Sequence, residues 1–275
     1  MKRTGLLQNV ITGVYSTIKK WFDNPFAIVG LSIWRVKVLK HLPEGKLRKW
    51  RIGGRPLLFN SPEELIRGLK EIFVDKTYEQ TLPPNAYILD CGANIGLSII
   101  NFKRICPSAH IIAFEPDPVN FEILNYNLRS FQLDKVEVNQ AAIWKEKTRL
   151  TFSSTGSMGS SLSTTDPSGI EVPTVRLKDL LVRPVDFLKL DIEGAEYEVI
   201  RDAADALTFV KTMFVEYHGR FDQNHELLEI LEIIQKAGFR FYLREASPVY
   251  PVPFKQERKG QLPFDVQLNI FCFRD

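Results

Sequence analysis

The sequence predicts an α/β domain built on a mostly parallel sheet with helices on both faces, an antiparallel last strand and a helical N-terminal cap. Three observations predict it. From Tyr87 onward, short apolar runs alternate with stretches of helical periodicity, the signature of βαβ units. The runs at 87–89, 110–114, 136–143, 186–190 and 212–215 read as parallel strands buried on both faces. The tail departs from this alternation: 239–243 and 268–273 read as two strands joined by a Pro-rich connection without a helix, hence an antiparallel pair at the sheet edge.

Residues 1–80 read as an irregular, mostly helical lead-in, too short for an independent domain and so a cap on the main domain at 81–275. The chain opens on basic residues as a signal peptide does. Gln8, Asn9 and Thr12 break its apolar stretch, so no leader is read there. The run 26–34 is apolar for about nine residues, against the roughly 20 that span a bilayer. It continues into Arg35, Lys37 and Lys40, which leaves two readings: a short buried helix, or a peripheral membrane contact through 26–40. Ser61-Pro62-Glu63-Glu64 is a helix start, with Ser61 as cap and Pro62 in the first turn. Leu65, Ile66, Leu69, Ile72 and Phe73 then recur at helical spacing. Leu82-Pro83-Pro84-Asn85 ends the lead-in. Helices are expected at 97–105, 119–131, 195–207 and 225–237, and the small-residue stretch 153–165 as a flexible loop.

Composition narrows the class. With 275 residues, 44% of them hydrophobic and 25% charged, the chain is neither disordered nor a membrane span. A net charge of +3, with no basic stripe interleaved with aromatics, gives no reason to expect a nucleic-acid partner. Three cysteines without a CxxC spacing suit a reducing compartment, and the cytoplasm is the expected one.

The most informative segment is 87–96, where an apolar strand ends in Asp90 and passes through Cys91-Gly92-Ala93-Asn94-Ile95-Gly96 into a helix. Ligands of open α/β sheets bind at such strand ends, where glycines let the backbone approach closely. Asn94 stands where another glycine is common, and asparagine tolerates positive φ best among the rest. The next strand ends in Phe114-Glu115-Pro116-Asp117. Glu115 is placed to accept both hydroxyls of a ribose, whereas Asp117 suits the cap of the following helix. These two strand ends admit either a nicotinamide cofactor or S-adenosylmethionine; Asp90 would repel a pyrophosphate and attract an ammonium or a sulfonium.

Asp90-Cys91-Gly92-Ala93-Asn94-Ile95-Gly96, Phe114-Glu115-Pro116 and above all Phe187-Leu188-Lys189-Leu190-Asp191-Ile192-Glu193-Gly194-Ala195-Glu196 resemble the FkbM family of methyltransferases. The resemblance spans roughly 71–219. It implies a class I, Rossmann-like methyltransferase fold, S-adenosylmethionine as cofactor, and O-methylation of a sugar, glycan or polyketide-like hydroxyl. By position it places Asp90, Gly92 and Asn94, with Ala93 and Gly96 of the same turn, at the methionine end. Glu115, with Pro116, falls to the ribose, and Gln140, Ala141 and Ala142 to the adenine. Asp191 closes the cofactor set.

A hydroxyl nucleophile must lose a proton, so a base belongs on the rim. The fourth strand ends in Asp191 and Glu193, the fifth in Glu216 and His218. His218, oriented by Asp191 or Glu216, is the expected base, its ordinary pKa suiting neutral pH. Lys189 lies two residues before Asp191 in an apolar run and needs a buried partner. Asp191, Glu193 and His218 could also hold a divalent cation, though nothing in their spacing requires one, and no metal is assigned. The place of an Asn/Asp-Pro-Pro-aromatic loop holds Asp191-Ile192-Glu193-Gly194, which disfavours transfer to ring or amide nitrogens. The alternatives are a metal-assisted or nucleic-acid O-methyltransferase and a non-catalytic cofactor-binding subunit.

Overall fold

The apolar runs become a central sheet with a core on each face. The computed structural model describes residues 24–153, 161–163, 170–258 and 263–274. It begins with a 3-10 turn at Pro25–Val29, helix α1 at Ile33–Lys40, and strands β1 (Arg48–Ile52) and β2 (Arg55–Phe59). Helix α2 (Pro62–Leu69) continues into a π turn at Lys70–Val74. Strand β3 (Tyr87–Cys91), α3 (Leu97–Ile105), β4 (His110–Phe114), α4 (Pro118–Phe131) and β5 (Val136–Asn139) follow. Four short strands come next, β6 (Ala142–Trp144), β7 (Arg149–Ser153), β8 (Ser161–Ser163) and β9 (Ile170–Arg176). The remainder is α5 (Leu177–Leu180), β10 (Val185–Leu190), α6 (Glu196–Asp202), β11 (Val210–Gly219), α7 (Asn224–Lys236), β12 (Arg240–Glu245) and β13 (Val266–Phe273).

The central sheet runs β12-β13-β11-β10-β3-β4-β5. The pairs from β11 through β5 are parallel, and β13 runs against both β11 and β12. The expected antiparallel pair is therefore present, but its later strand sits one place inside the edge. Ile270 and Cys272 of β13 are buried, whereas nearly all of β12 is exposed, so the strand with more to bury takes the covered position.

Alternation along each strand separates the cores. Ile88, Phe187 and Phe214 pack with Phe102 of α3 and Leu124 of α4. Leu89, Leu188 and Met213 pack with Val199 of α6 and Ile234 of α7. The expected caps form: Ser61 Oγ accepts from Glu64 N (3.2 Å), and Asp117 Oδ1 from Val119 N and Asn120 N (2.8 and 2.9 Å). Among the described residues no helix is long and apolar enough to cross a membrane.

The structure departs from the sequence expectations in three places. The lead-in is not mostly helical, because Gly53-Gly54 turns β1 onto β2 as a hairpin with Ile52 opposite Arg55. Both glycines have positive φ (58° and 80°), the requirement of a two-residue hairpin turn. The run 136–143 is two strands in two sheets. Asn139 O accepts from both Glu115 N and Ala141 N, which turns the chain at Gln140 and sends Ala142–Trp144 to pair with β9. The stretch read as a loop at 153–165 includes β8, paired antiparallel with β7. The rest of it, 154–160 and 164–165, lies outside the described residues, as does the basic start at 1–23.

The lead-in shares the first core: Leu39 of α1, Leu57 of β2 and Leu65 of α2 are fully buried within it. One asparagine clips it to the turn between β3 and α3. Asn127, buried in α4, accepts from Leu58 N (2.7 Å) and donates to Leu58 O (3.0 Å) and Ile95 O (2.9 Å). Replacing it leaves one buried and two half-buried backbone groups without this partner, so we expect Asn127→Ala to cost about 1–3 kcal/mol in chemical denaturation. A loss within measurement error would show that the clip contributes nothing.

Candidate active site

Strand register puts the rim residues level. Leu190 pairs with Cys91 and with Val215, and Cys91 with Phe114. The next residues, Gly92, Glu115 and Asp191, therefore leave the sheet together, while β11 runs on through Glu216 to Gly219. A cavity opens there, walled by Gly92, Ala93, Asn94, Glu115, Pro116, Ala141, Ala142, Lys189, Asp191, Glu193 and Glu216. Gly92 is indispensable to this closeness: its φ is 91°, and a Cβ there would lie 1.8 Å from Asp191 O.

Lys189 braces the centre. Its Nζ donates to Gly92 O (2.7 Å) and Asp191 Oδ2 (3.1 Å) and lies 3.5 Å from Asp90 Oδ1. Burial pushes the ammonium down, but Asp191 and Asp90 outweigh it and hold its pKa above the ordinary lysine range. Asp90 is not on the cavity wall. It lies fully buried beneath it, accepting from the Ser98 hydroxyl, and burial raises its carboxyl against the pull of Lys189. Gly96 lies off the wall as the cap of α3, and Gln140 is exposed.

Glu115 is on the wall and already organised. Oε2 accepts from Asn94 N (2.7 Å) and Oε1 from Asp117 N (3.0 Å), while burial pushes its pKa up to about 8. Asn94, one of these donors, has left-handed backbone, φ 47°. Glu193 also has left-handed backbone, φ 54°, and its pKa is raised to about 8 by burial against the pull of His218. Glu216 is raised well above the carboxylate range by burial and by Asp191.

His218 stands behind this wall with a fully buried side chain. Its Nε2 lies 3.5 Å from Glu193 and 3.7 Å from Glu216. The residue that orients it is Glu196, whose Oε1 lies 3.1 Å from Nδ1 and also accepts from Ile192 N and Gly194 N. Burial disfavours the imidazolium, yet Glu196 and Glu193 together hold its pKa well above 6.5. Asp191, Glu193 and His218 offer ligand atoms within 4.8 Å of one another.

Four further residues belong to the site. Arg67 of α2, Glu71 of the π turn and Tyr78 line the cavity from the lead-in, and Glu196 acts through His218. Burial raises Glu71, with Asp191 adding to it. Glu71 Oε1, Asn94 Oδ1 and Glu193 Oε2 are buried acceptors without a hydrogen-bond donor, and all three residues line the cavity. Glu71 was hidden because a carboxylate beside Ile72 and Phe73 reads as the solvent side of a helix; a π turn aims it inward. Glu196 closes the 187–196 motif and read only as the start of a helix.

The model of the methyltransferase FkbM domain matches residues 90–241, from Asp90 to β12. The chain belongs to the FkbM methyltransferase family. The architecture is the Rossmann-like α/β fold of class I methyltransferases. Methyltransferase 1 of Beauveria bassiana is 30% identical over 164 residues, covering 50% of this chain and 66% of its own. The 2-O-methyltransferase NoeI of Sinorhizobium fredii is 27% identical over 176 residues (55% and 72% covered). The 31-O-demethyl-FK506 methyltransferase FkbM of Streptomyces tacrolimicus is 26% identical over 222 residues (66% and 84%). The crystal structure of a methyltransferase FkbM from Methylobacillus flagellatus KT superposes with a TM-score of 0.47 at 17% identity, covering 76% of this chain and 54% of its own. The match thus spans just under two thirds of the Beauveria relative's length.

The wall makes stability depend on pH. Glu115 and Glu193 sit at about 8 against an ordinary 4.5, so the folded FkbM-family chain holds these protons more tightly than the unfolded one. Stability is then complete below the unfolded value and is lost as pH rises toward the folded one. Glu71, Glu216 and His218, all raised, act in the same sense. We expect the melting temperature of the protein alone to fall between about pH 5 and pH 8. Glu115→Gln with Glu193→Gln should flatten the fall, and a rising melting temperature over this range would contradict the assignment.

Proposed function

We propose that the cavity binds S-adenosylmethionine and that this chain transfers the methyl group to a hydroxyl oxygen of a sugar, glycan or polyketide-like acceptor. The observation that carries the reading is Glu193: a left-handed backbone sets it on the cavity wall, with Oε2 buried 3.5 Å from His218 Nε2. The names of two relatives, a 2-O-methyltransferase and a 31-O-demethyl-FK506 methyltransferase, support oxygen as the methyl acceptor.

The residues fit the cofactor. Its sulfonium and ammonium are cations, and the wall is rich in carboxylates. Glu115 has one backbone donor on each oxygen, which leaves each oxygen able to accept from a ribose hydroxyl. Asn94 Oδ1 and Glu71 Oε1 await donors, and Phe114, Pro116, Ala141, Ala142 and Ile143 supply an apolar surface for the adenine. When bound, the cofactor supplies an electrophilic methyl on sulfur; alignment with the nucleophile provides much of the acceleration.

The chain's own chemical task is the proton. As the acceptor oxygen takes the methyl, its hydroxyl proton passes to the Glu193 carboxylate. His218, fixed by Glu196, faces Glu193 from behind as an imidazolium and is a positioning residue that draws the Glu193 pKa down. Glu193 works only when ionised, so kcat/KM for the cofactor, which reports the protein before binding, should rise through about pH 8.

Methyl transfer to a panel of sugar and macrolide alcohols tests this directly. Glu193→Gln should lower turnover roughly 10²–10⁴-fold while keeping affinity for S-adenosylhomocysteine. His218→Asn should move the ascending limb to higher pH, and wild-type turnover in Glu193→Gln would sink the assignment. The grouping of Asp191, Glu193 and His218 favours a second reading, in which a divalent cation activates the hydroxyl. Chelation abolishes transfer in that reading and leaves it unchanged in ours.

A further inference from the structure

The strongest feature outside the cavity is the charge and exposure of the lead-in. Residues 24–60 contain eight lysines and arginines and a single acid, Glu44, in a chain whose net charge is only +3. The same stretch exposes large apolar side chains: Trp34 is 74% exposed, Leu47 62%, Ile28 52% and Val38 52%. On α1 and its C-cap, the exposed residues Trp34, Lys37, Val38 and His41 recur at i, i+3, i+4 and i+7 and so form one stripe, opposite the buried Val36 and Leu39. Lys37 Nζ lies 4.8 Å from the centre of the Trp34 ring.

α1 and β1 are tied together. Arg35 donates to Arg51 O (3.0 Å) and its guanidinium stacks over Trp50 at 5.1 Å, which holds the basic strand beside the basic helix. We propose that this face docks on the surface of an anionic lipid bilayer. Charge complementarity commits it to anionic headgroups, and the exposed aliphatic side chains select a bilayer over a nucleic acid, which offers them nothing to bury against. An indole paired with an ammonium suits the headgroup level, with the ring among the acyl ends and the charge on phosphate. α1 packs on α2, whose Arg67 and Gly68 line the cavity, so docking brings the cavity within one helix of the membrane surface. The inference does not rest on the acceptor proposed above.

Cosedimentation with vesicles tests it. The full chain should pellet with phosphatidylcholine vesicles containing phosphatidylglycerol as about a third of the lipid, fail to pellet with phosphatidylcholine alone, and be released by high salt. Trp34→Ala, and separately Lys37→Glu with Lys40→Glu, should each weaken the binding at least about tenfold. Both variants should keep the wild-type melting temperature and affinity for S-adenosylhomocysteine, which shows that they are folded. No binding to the anionic vesicles, equal binding by folded variants, or tighter binding to a structured RNA than to the vesicles would overturn the proposal.

Discussion

The site depends on one buried ammonium. Lys189 lies opposite Asp90 in the register of β10 against β3, and its Nζ reaches one residue beyond both strands to Gly92 O and Asp191. An ammonium so deep in the sheet costs much free energy unless it is paired and hydrogen-bonded. Here two carboxylates and a carbonyl satisfy it, and in doing so they fix where two strands end. Gly92 completes the brace, since no other residue leaves room for Asp191 O against the turn. The close approach of β3 and β10 at the rim is held by Asp191 N donating to Cys91 O (3.1 Å), and Lys189 ties the two strand ends together just beyond it.

That brace leaves Arg67 on the wall as a counterweight to the carboxylates, and it lowers Glu71 and Glu193 less than burial raises them. Lys189 is committed to Asp90 and Asp191, and His218 to Glu196, with Glu193 and Glu216 next to its other nitrogen. Glu71, Glu115, Glu193 and Glu216 are left to burial, which raises all four. Such a wall holds protons until a cation or a set of hydroxyl donors replaces them. The same arrangement that makes the protein alone sensitive to alkali makes the cavity complementary to a sulfonium bearing an ammonium and a ribose.

Most of the sheet was legible because strands covered on both faces are apolar runs, and because Asp90, Glu115 and Asp191 mark strand ends. The hairpin at Gly53-Gly54 was missed, although two glycines between alternating residues signal one, because the helical start at Ser61 colours the whole lead-in as helix. Other features were not readable locally. Whether 136–143 is one strand or two depends on Asn139 O taking two donors, one of them from the neighbouring strand. The edge position of β12 depends on how much β13 has to bury. Within the site, Asp90 looked like a ligand-facing carboxylate because the sequence cannot show that Lys189 lies directly opposite. His218 looked like the rim base because β11 continues to Gly219, past the level of its neighbours, and nothing in the chain marks that extension.

The central claim is that a lysine-braced, proton-holding acidic wall is built to receive a cationic cofactor. Calorimetric titration of S-adenosylmethionine at pH 7 in buffers of different ionisation enthalpy measures both affinity and protons exchanged. With Glu115 and Glu193 at about 8 before binding, arrival of the cation should ionise them and release protons to the buffer. Binding that takes up protons, or no binding at all, would contradict the account.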